Sequence, residues 1–217
     1  MFYAIPDTVF SLTGLESAMS TVDKDGMLID AKITLKRYTS IEHGNLSAVK
    51  AVVVHQTDAP TAQHTFNGYN AGGNGAHFLI AKNGDIYQTA STQKRCYHVG
   101  RLIKSKCLTL DKNSCDSAEM AVILAKSWSN QIKALDAHER QKAYPARYPV
   151  NSDALGIEIV GKHLDDTQYE AVTPAQNTSL QWLLGELYSH FSLTKADIYR
   201  HPEVSYKNPG EAKGASW

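Results

Sequence analysis

The chain has 217 residues, 42% of them hydrophobic, which suits one soluble-type domain with a substantial core. Its 22 Lys and Arg balance 22 Asp and Glu, so no global field exists to gather nucleic acid or an anionic membrane surface. No apolar run reaches membrane-spanning length. Met1 to Asp7 lack a basic segment followed by a long apolar stretch, so synthesis in the cytoplasm without a signal peptide is expected. Cys96, Cys107 and Cys115 are too few for a dense disulfide framework, and their spacing does not suit a Cys-rich zinc ribbon. Cys107 and Cys115 either bridge a loop in an oxidising compartment or stay as free thiols.

Residues 1–48 are weakly patterned, and Met27-Leu28-Ile29 with Ala31 to Leu35 predict a short edge strand. Ala51-Val52-Val53-Val54 is a continuous apolar run, the mark of a strand buried on both faces. It stops on His55, which puts an imidazole at the rim of a sheet, where α/β sites are built. A strand-end histidine serves equally well as a hydrogen-bonded structural residue, so its weight depends on later segments. Thr57 to Gly75, polar and rich in Gly and Asn, predicts a loop, either ligand-facing or a plain connection. Ala76 to Ala81 and Ile86 to Ala90 predict an antiparallel pair, because Asn83-Gly84 between them is a strong hairpin signal. Cys96-Tyr97-His98-Val99-Gly100 then brings another histidine past a strand region.

Residues 101–116 read as a polar connection, and Asp116 or Ser117 caps a helix expected to run to about Asp136 with Leu124, Trp128, Ile132 and Leu135 as a core stripe. Ala154 to Gly161 predicts a second buried strand. Within it Glu158 is anomalous, since a buried carboxylate must be paired, protonated or facing a cleft. A structural salt bridge would also account for it. Thr173-Pro174-Ala175-Gln176 is a capping box with proline in the first turn, opening a helix that presents Leu180, Leu183, Leu184, Leu187, Tyr188 and Phe191 to the sheet. Finally His201 precedes Pro202, which predicts extended or turn geometry there. His55, Glu158 and His201 together could form a two-histidine metal site with a carboxylate nearby.

On these segments the sequence resembles the zinc-dependent N-acetylmuramoyl-L-alanine amidases, the family of AmpD, bacteriophage amidase lysozymes and peptidoglycan recognition proteins. The matching stretches are Val53 to Thr57, Gly75 to Ile80 with Asn83 to Gln88, Tyr97 to Gly100, Leu155 to Glu158, Thr173 to Leu184 and Ile198 to His201, spanning roughly residues 50–215 in the family's order. The resemblance implies an α/β fold, a mixed central sheet flanked by helices. It implies a zinc amidase domain over 49–217 with an insertion at about 101–150, and an N-terminal extension, 1–48, packed on it. His55 and His201 match two Zn2+ ligands, Glu158 matches the general base, His98 would lie at the cleft wall to assist oxyanion or substrate contact, and His77 would be structural. The substrate so implied is peptidoglycan or a muropeptide, cut at the amide between the lactyl group of N-acetylmuramic acid and L-alanine.

The departure lies at the third ligand. Relatives place Asp or Cys before Pro-Gly and two residues after a Lys, whereas here Asn208 precedes Pro209-Gly210. Glu203 follows His201 with little slack to wrap around an ion, and Asn208 is a neutral, poor zinc ligand. Glu211, beyond the Pro209-Gly210 turn, is therefore the expected third ligand, with Lys207 as electrostatic stabiliser of the oxyanion. A non-catalytic peptidoglycan-binding module of the same fold is the alternative if that ligand is lacking. A metal-independent hydrolase built on Cys96 and His98 is a further reading, weakened by the absence of a separate orienting group. Muropeptide recycling, phage lysis and delivery into rival cells as an antibacterial effector, the last with an immunity protein as partner, fit the sequence alike. In the last two, action falls on the cell wall, in the periplasm.

Overall fold

The computed structural model describes residues 20–217; the reading of Met1 to Asp7 lies outside them. In chain order the strands and helices are β1 (Thr21–Val22), β2 (Leu28–Ile29), β3 (Ile33–Leu35), β4 (Ala51–Gln56), α1 (Ala62–Ala71), β5 (Phe78–Ile80), β6 (Ile86–Gln88), α2 (Lys106–Leu110), α3 (Ser117–Leu124), α4 (Trp128–Glu139), β7 (Ala154–Ile159), β8 (His163–Asp165), β9 (Gln168–Tyr169), α5 (Pro174–Phe191), β10 (Ile198–Arg200) and α6 (His201–Val204). One six-stranded sheet, ordered β10-β4-β7-β5-β6-β3, organises them, and two short ribbons, β1-β2 and β8-β9, lie beside it. All pairings in the large sheet are parallel except β5 with β6, the predicted hairpin. The fold is thus a mixed α/β sheet flanked by helices.

Alternation along the central strands divides the core in two. Val52 and Val54 of β4 and Leu155, Ile157 and Ile159 of β7 pack with Leu180, Leu183, Leu184 and Leu187 of α5. α5 starts as its sequence demands: the Thr173 hydroxyl accepts from Gln176 N–H, and the Gln176 side chain accepts from Thr173 N–H. Ala51, Val53 and Ala154 face the other way, onto Val99, Ile103, Tyr148 and Val204. His55 and Glu158 share that second face by the period of two, so both leave the α5 core and reach the opposite side of the sheet.

Three expectations are corrected. The segment after His55 is not a loop throughout: Thr61 caps α1 by accepting from His64 N–H, and Phe66 and Tyr69 anchor the helix in the core. The expected single helix from 116 to 136 is two, broken at Ala125 to Ser127, where a serine favours the flank of a helix over its interior. Its core stripe shifts accordingly: Leu124 and Trp128 are exposed, and Met120, Ile123 and Leu135 are the buried positions, beside Leu108 and the Cys107–Cys115 disulfide. The third concerns Pro202: extended geometry falls on Arg200, and His201 opens α6 with Pro202 in its first turn.

Candidate metal centre and cleft

Three neighbouring strands end at one edge of the sheet, and their ends supply the site. Register pairs His55 with Glu158 across β4 and β7, and β10, paired to β4 through Arg200 and Val54, delivers His201 alongside. The His55 and His201 rings stand 4.2 Å apart between centroids. The tail supplies the fourth group. Asn208 accepts from Gly210 N–H and donates to the Asp165 carbonyl, while a Cβ on Gly210 would lie 2.2 Å from the Thr167 carbonyl oxygen, so only glycine lets the chain turn back there. Gln56, next to His55, accepts from Ala212 N–H at 3.2 Å, and Arg200 donates to the Ala212 and Ala215 carbonyls. Between these ties Glu211 is fixed.

His201 Nδ1 lies 2.8 Å and His55 Nδ1 3.4 Å from Glu211 Oε1, and one donor atom from each of the three residues falls within 4.8 Å of the others. The other nitrogen of His201, Nε2, faces the Val99 carbonyl at 3.1 Å and must donate to it. In a neutral ring Nδ1 then presents a lone pair to a carboxylate oxygen, acceptor against acceptor, a pairing that a shared cation or proton relieves. Two imidazoles and a carboxylate are a donor set zinc takes in hydrolytic sites. Burial, then the charge of His201, pushes His55 down to about 4, which favours the neutral, ligating form. Burial works to raise Glu211, but the neighbouring rings of His201 and His55 outweigh it and hold the carboxyl at about 2.

Glu158 differs. Burial, then the nearby charge of Glu211, raises its carboxyl to about 8 against the pull of Lys207, and its buried Oε2 has no hydrogen-bond partner among the described residues. A carboxyl so raised holds its own proton near neutral pH; a cation held by the neighbouring donors would favour the carboxylate, the form that takes a proton from a molecule in the cleft. A cavity of about 1120 Å³ opens over His55, Glu158, His201 and Glu211, with Lys207 and Tyr169 on its wall. Burial, then the charge of Glu211, raises the Tyr169 hydroxyl to about 12, so the phenol stays protonated.

The structure therefore brings His55, His201, Glu211, Glu158 and Lys207 to one cleft. Glu203 is elsewhere, accepting from Arg200 N–H at 2.6 Å, and Asn208 is spent on its turn. His98 does line the cleft, but its expected oxyanion or substrate contact is corrected: the ring is buried with Nδ1 3.1 Å from His55 Nε2 and Nε2 3.1 Å from the Ala154 carbonyl, so both nitrogens already have partners. The Cys96 reading is overturned, since the thiol is buried among Ile41, Tyr69 and Ala90 and burial raises its pKa, opposite to what a nucleophile needs. His77 bridges strands, its Nε2 donating to the Lys94 carbonyl and its Nδ1 accepting from Gly156 N–H. Tyr169 and Gln56 were passed over in the sequence. Tyr169 sits in a polar ribbon with no periodic signal, and only Gln56's place beside His55 marked it.

The class so defined is an α/β protein with a buried His-His-Glu cluster that could hold a metal ion at the ends of parallel strands, beside a carboxylate oxygen, Glu158 Oε2, without a hydrogen-bond partner among the described residues. The chain belongs to the N-acetylmuramoyl-L-alanine amidase family, whose sequence profile matches residues 45–211. Among solved structures it is similar to a selenomethionine derivative of AmpD, with 19% identity, 88% of this chain and 96% of that one covered, and a TM-score of 0.52. It is also similar to the endolysin N-acetylmuramoyl-L-alanine amidase LysCS of Clostridium intestinale URNW (20% identity, 82% and 87% covered, TM-score 0.42). A third is AmpDh3 of Pseudomonas aeruginosa in complex with anhydromuramic pentapeptide (15% identity, 85% and 58% covered, TM-score 0.48). No curated protein sequence matches the chain.

Proposed function

We propose that this protein is a zinc-dependent amidase that cuts the bond between the lactyl group of N-acetylmuramic acid and L-alanine in peptidoglycan or its fragments. The observation that carries the reading is the convergence of His55, His201 and Glu211 beside Glu158 Oε2, which has no hydrogen-bond partner among the described residues. The three would hold the ion, which supplies Lewis acidity, lowering the pKa of water at the site and polarising the scissile carbonyl. Glu158 takes the proton of the attacking water and hands it to the leaving amine of L-alanine. Lys207, exposed at the cleft wall, balances negative charge growing on the carbonyl oxygen. The cavity exceeds the roughly 300–1,000 Å³ of a small-ligand pocket, which suits an extended sugar-peptide. Action on the cell wall in an oxidising compartment such as the periplasm accords with the Cys107–Cys115 disulfide.

Zinc-loaded protein incubated with a muramoyl-peptide should release a free sugar acid and a peptide with a new N-terminal alanine, both read by mass spectrometry. Binding with no cleavage would overturn the enzymatic reading in favour of a non-catalytic peptidoglycan-binding module.

A further inference from the structure

At the cleft wall, one dipeptide touches both histidines of the candidate metal site. His98 faces His55, and the carbonyl of the next residue, Val99, faces His201. The proton positions follow from the partners. The Ala154 carbonyl can only accept, so His98 Nε2 carries a proton. The ring is buried and its Nδ1 faces His55 Nε2, so with the proton on Nε2 the neutral ring keeps a lone pair on Nδ1. His55 Nε2, 3.1 Å away, must therefore be the N–H that fills it. That leaves the lone pair of His55 on Nδ1, the atom 3.4 Å from Glu211. The Val99 carbonyl acts on His201 in the same way, and it also accepts from the Ser205 hydroxyl.

Two features hold the dipeptide. Asn151 Oδ1 accepts from both backbone N–H groups, at 3.0 Å from His98 N and 2.8 Å from Val99 N. Gly156 gives the imidazole its slot: a Cβ there would lie 2.8 Å from His98 Cγ, 3.0 Å from His98 Nδ1 and 3.1 Å from Ala76 Cβ. The neighbouring strand fixes Gly156 in turn through its N–H to His77 Nδ1.

We propose that the His98-Val99 dipeptide, clamped by Asn151, is a positioning device that sets the tautomer and aim of both candidate ligands, leaving Nδ1 of His55 and of His201 free for the cation. The inference rests on the metal-site reading. It assigns His98 and Asn151 a role in metal affinity although neither has an atom among the donors.

Nitrogen-15 spectra of metal-free protein, labelled on histidine, test it without any metal: His55 and His201 should both carry the proton on Nε2. Protonation of either on Nδ1 in the neutral state would overturn the proposal. Competition with a chromophoric chelator for zinc gives the second measurement. His98→Phe should weaken zinc about 10–100-fold, the usual effect of losing a group that orients a ligand, and Asn151→Ala should act in the same direction. His98→Gln, whose amide can still accept from His55 and donate to Ala154, should retain more affinity than His98→Phe. Equal zinc affinity in wild type, His98→Phe and Asn151→Ala, all folded by melting temperature, would overturn it. A wild type that binds no zinc while its spectra show both Nε2 protons would sink the metal reading but leave the tautomer assignment standing.

Discussion

Glu158 illustrates how far one residue can be read alone. Its charge within Ala154 to Gly161 marks it as costly to bury, and the alternation of β7 turns that cost toward the cleft, on the face of His55. Replacement Glu158→Gln keeps shape and removes the proton acceptor; it should leave zinc content and folding intact and lower turnover by about 10²–10⁴. Near-normal turnover would rule out the base. His77 makes a different prediction. Burial lowers it from 6.5 to about 4, so between those values the unfolded chain binds a proton that the folded one refuses. Metal-free protein should thus lose stability as pH falls through that window, on the order of 3 kcal/mol from this group. Urea unfolding at about pH 7 and about pH 4.5 should show a smaller loss in His77→Gln than in wild type, and identical losses would refute the assignment. His55, His201 and Glu158 could be singled out from sequence because a polar residue ending or interrupting an apolar strand is conspicuous. The role of His98 could not, because it depends on a β7 carbonyl and a β4 ring that only the fold brings to its two nitrogens.

Elements with strong periodicity or a cap were legible, and those held by one or two anchors were not. α5 and the β5-β6 hairpin follow from a capping box, a leucine stripe and an Asn-Gly turn. α1 did not, since only Phe66 and Tyr69 of its ten residues are buried, and Gly68 and five polar residues blur the stripe. The α3-α4 break came from reading Leu124 and Trp128 as core by spacing, when the burial partner of this region is its own small cluster of Met120, Ile123 and Leu135. That cluster is separate from the packing on the sheet, and the Cys107–Cys115 disulfide, eight residues apart in sequence, closes a loop beside it. Reducing it should cost about 2–3 kcal/mol by loop-closure entropy. Because the loop carries none of the site residues, zinc affinity should hold. Guanidinium unfolding and chelator competition with and without reductant check both parts, and a parallel loss of zinc would contradict the independence of the two regions.

Across the whole molecule, the candidate site lies where β10, β4 and β7 end together, and the tail folds back to complete the cluster. Family and fold class were legible from six short segments in order, each weak alone, because all but Tyr97 to Gly100 contain residues of a strand or helix of this fold. The position of Glu211 was legible only by elimination among tail donors, since what places it is a turn at Pro209-Gly210 and the tie from Gln56 to Ala212, the latter a contact over more than a hundred residues. The central claim is that His55, His201 and Glu211 form one zinc site on which amide hydrolysis depends. The most direct measurement is zinc titration of chelator-stripped protein with hydrolysis of a muramoyl-peptide followed in parallel, for wild type, Glu211→Ala and Glu203→Ala. Wild type and Glu203→Ala should each bind one equivalent and regain activity with it, while Glu211→Ala binds far more weakly and stays inactive; full hydrolysis after stripping, or zinc binding lost in Glu203→Ala and kept in Glu211→Ala, would contradict the account.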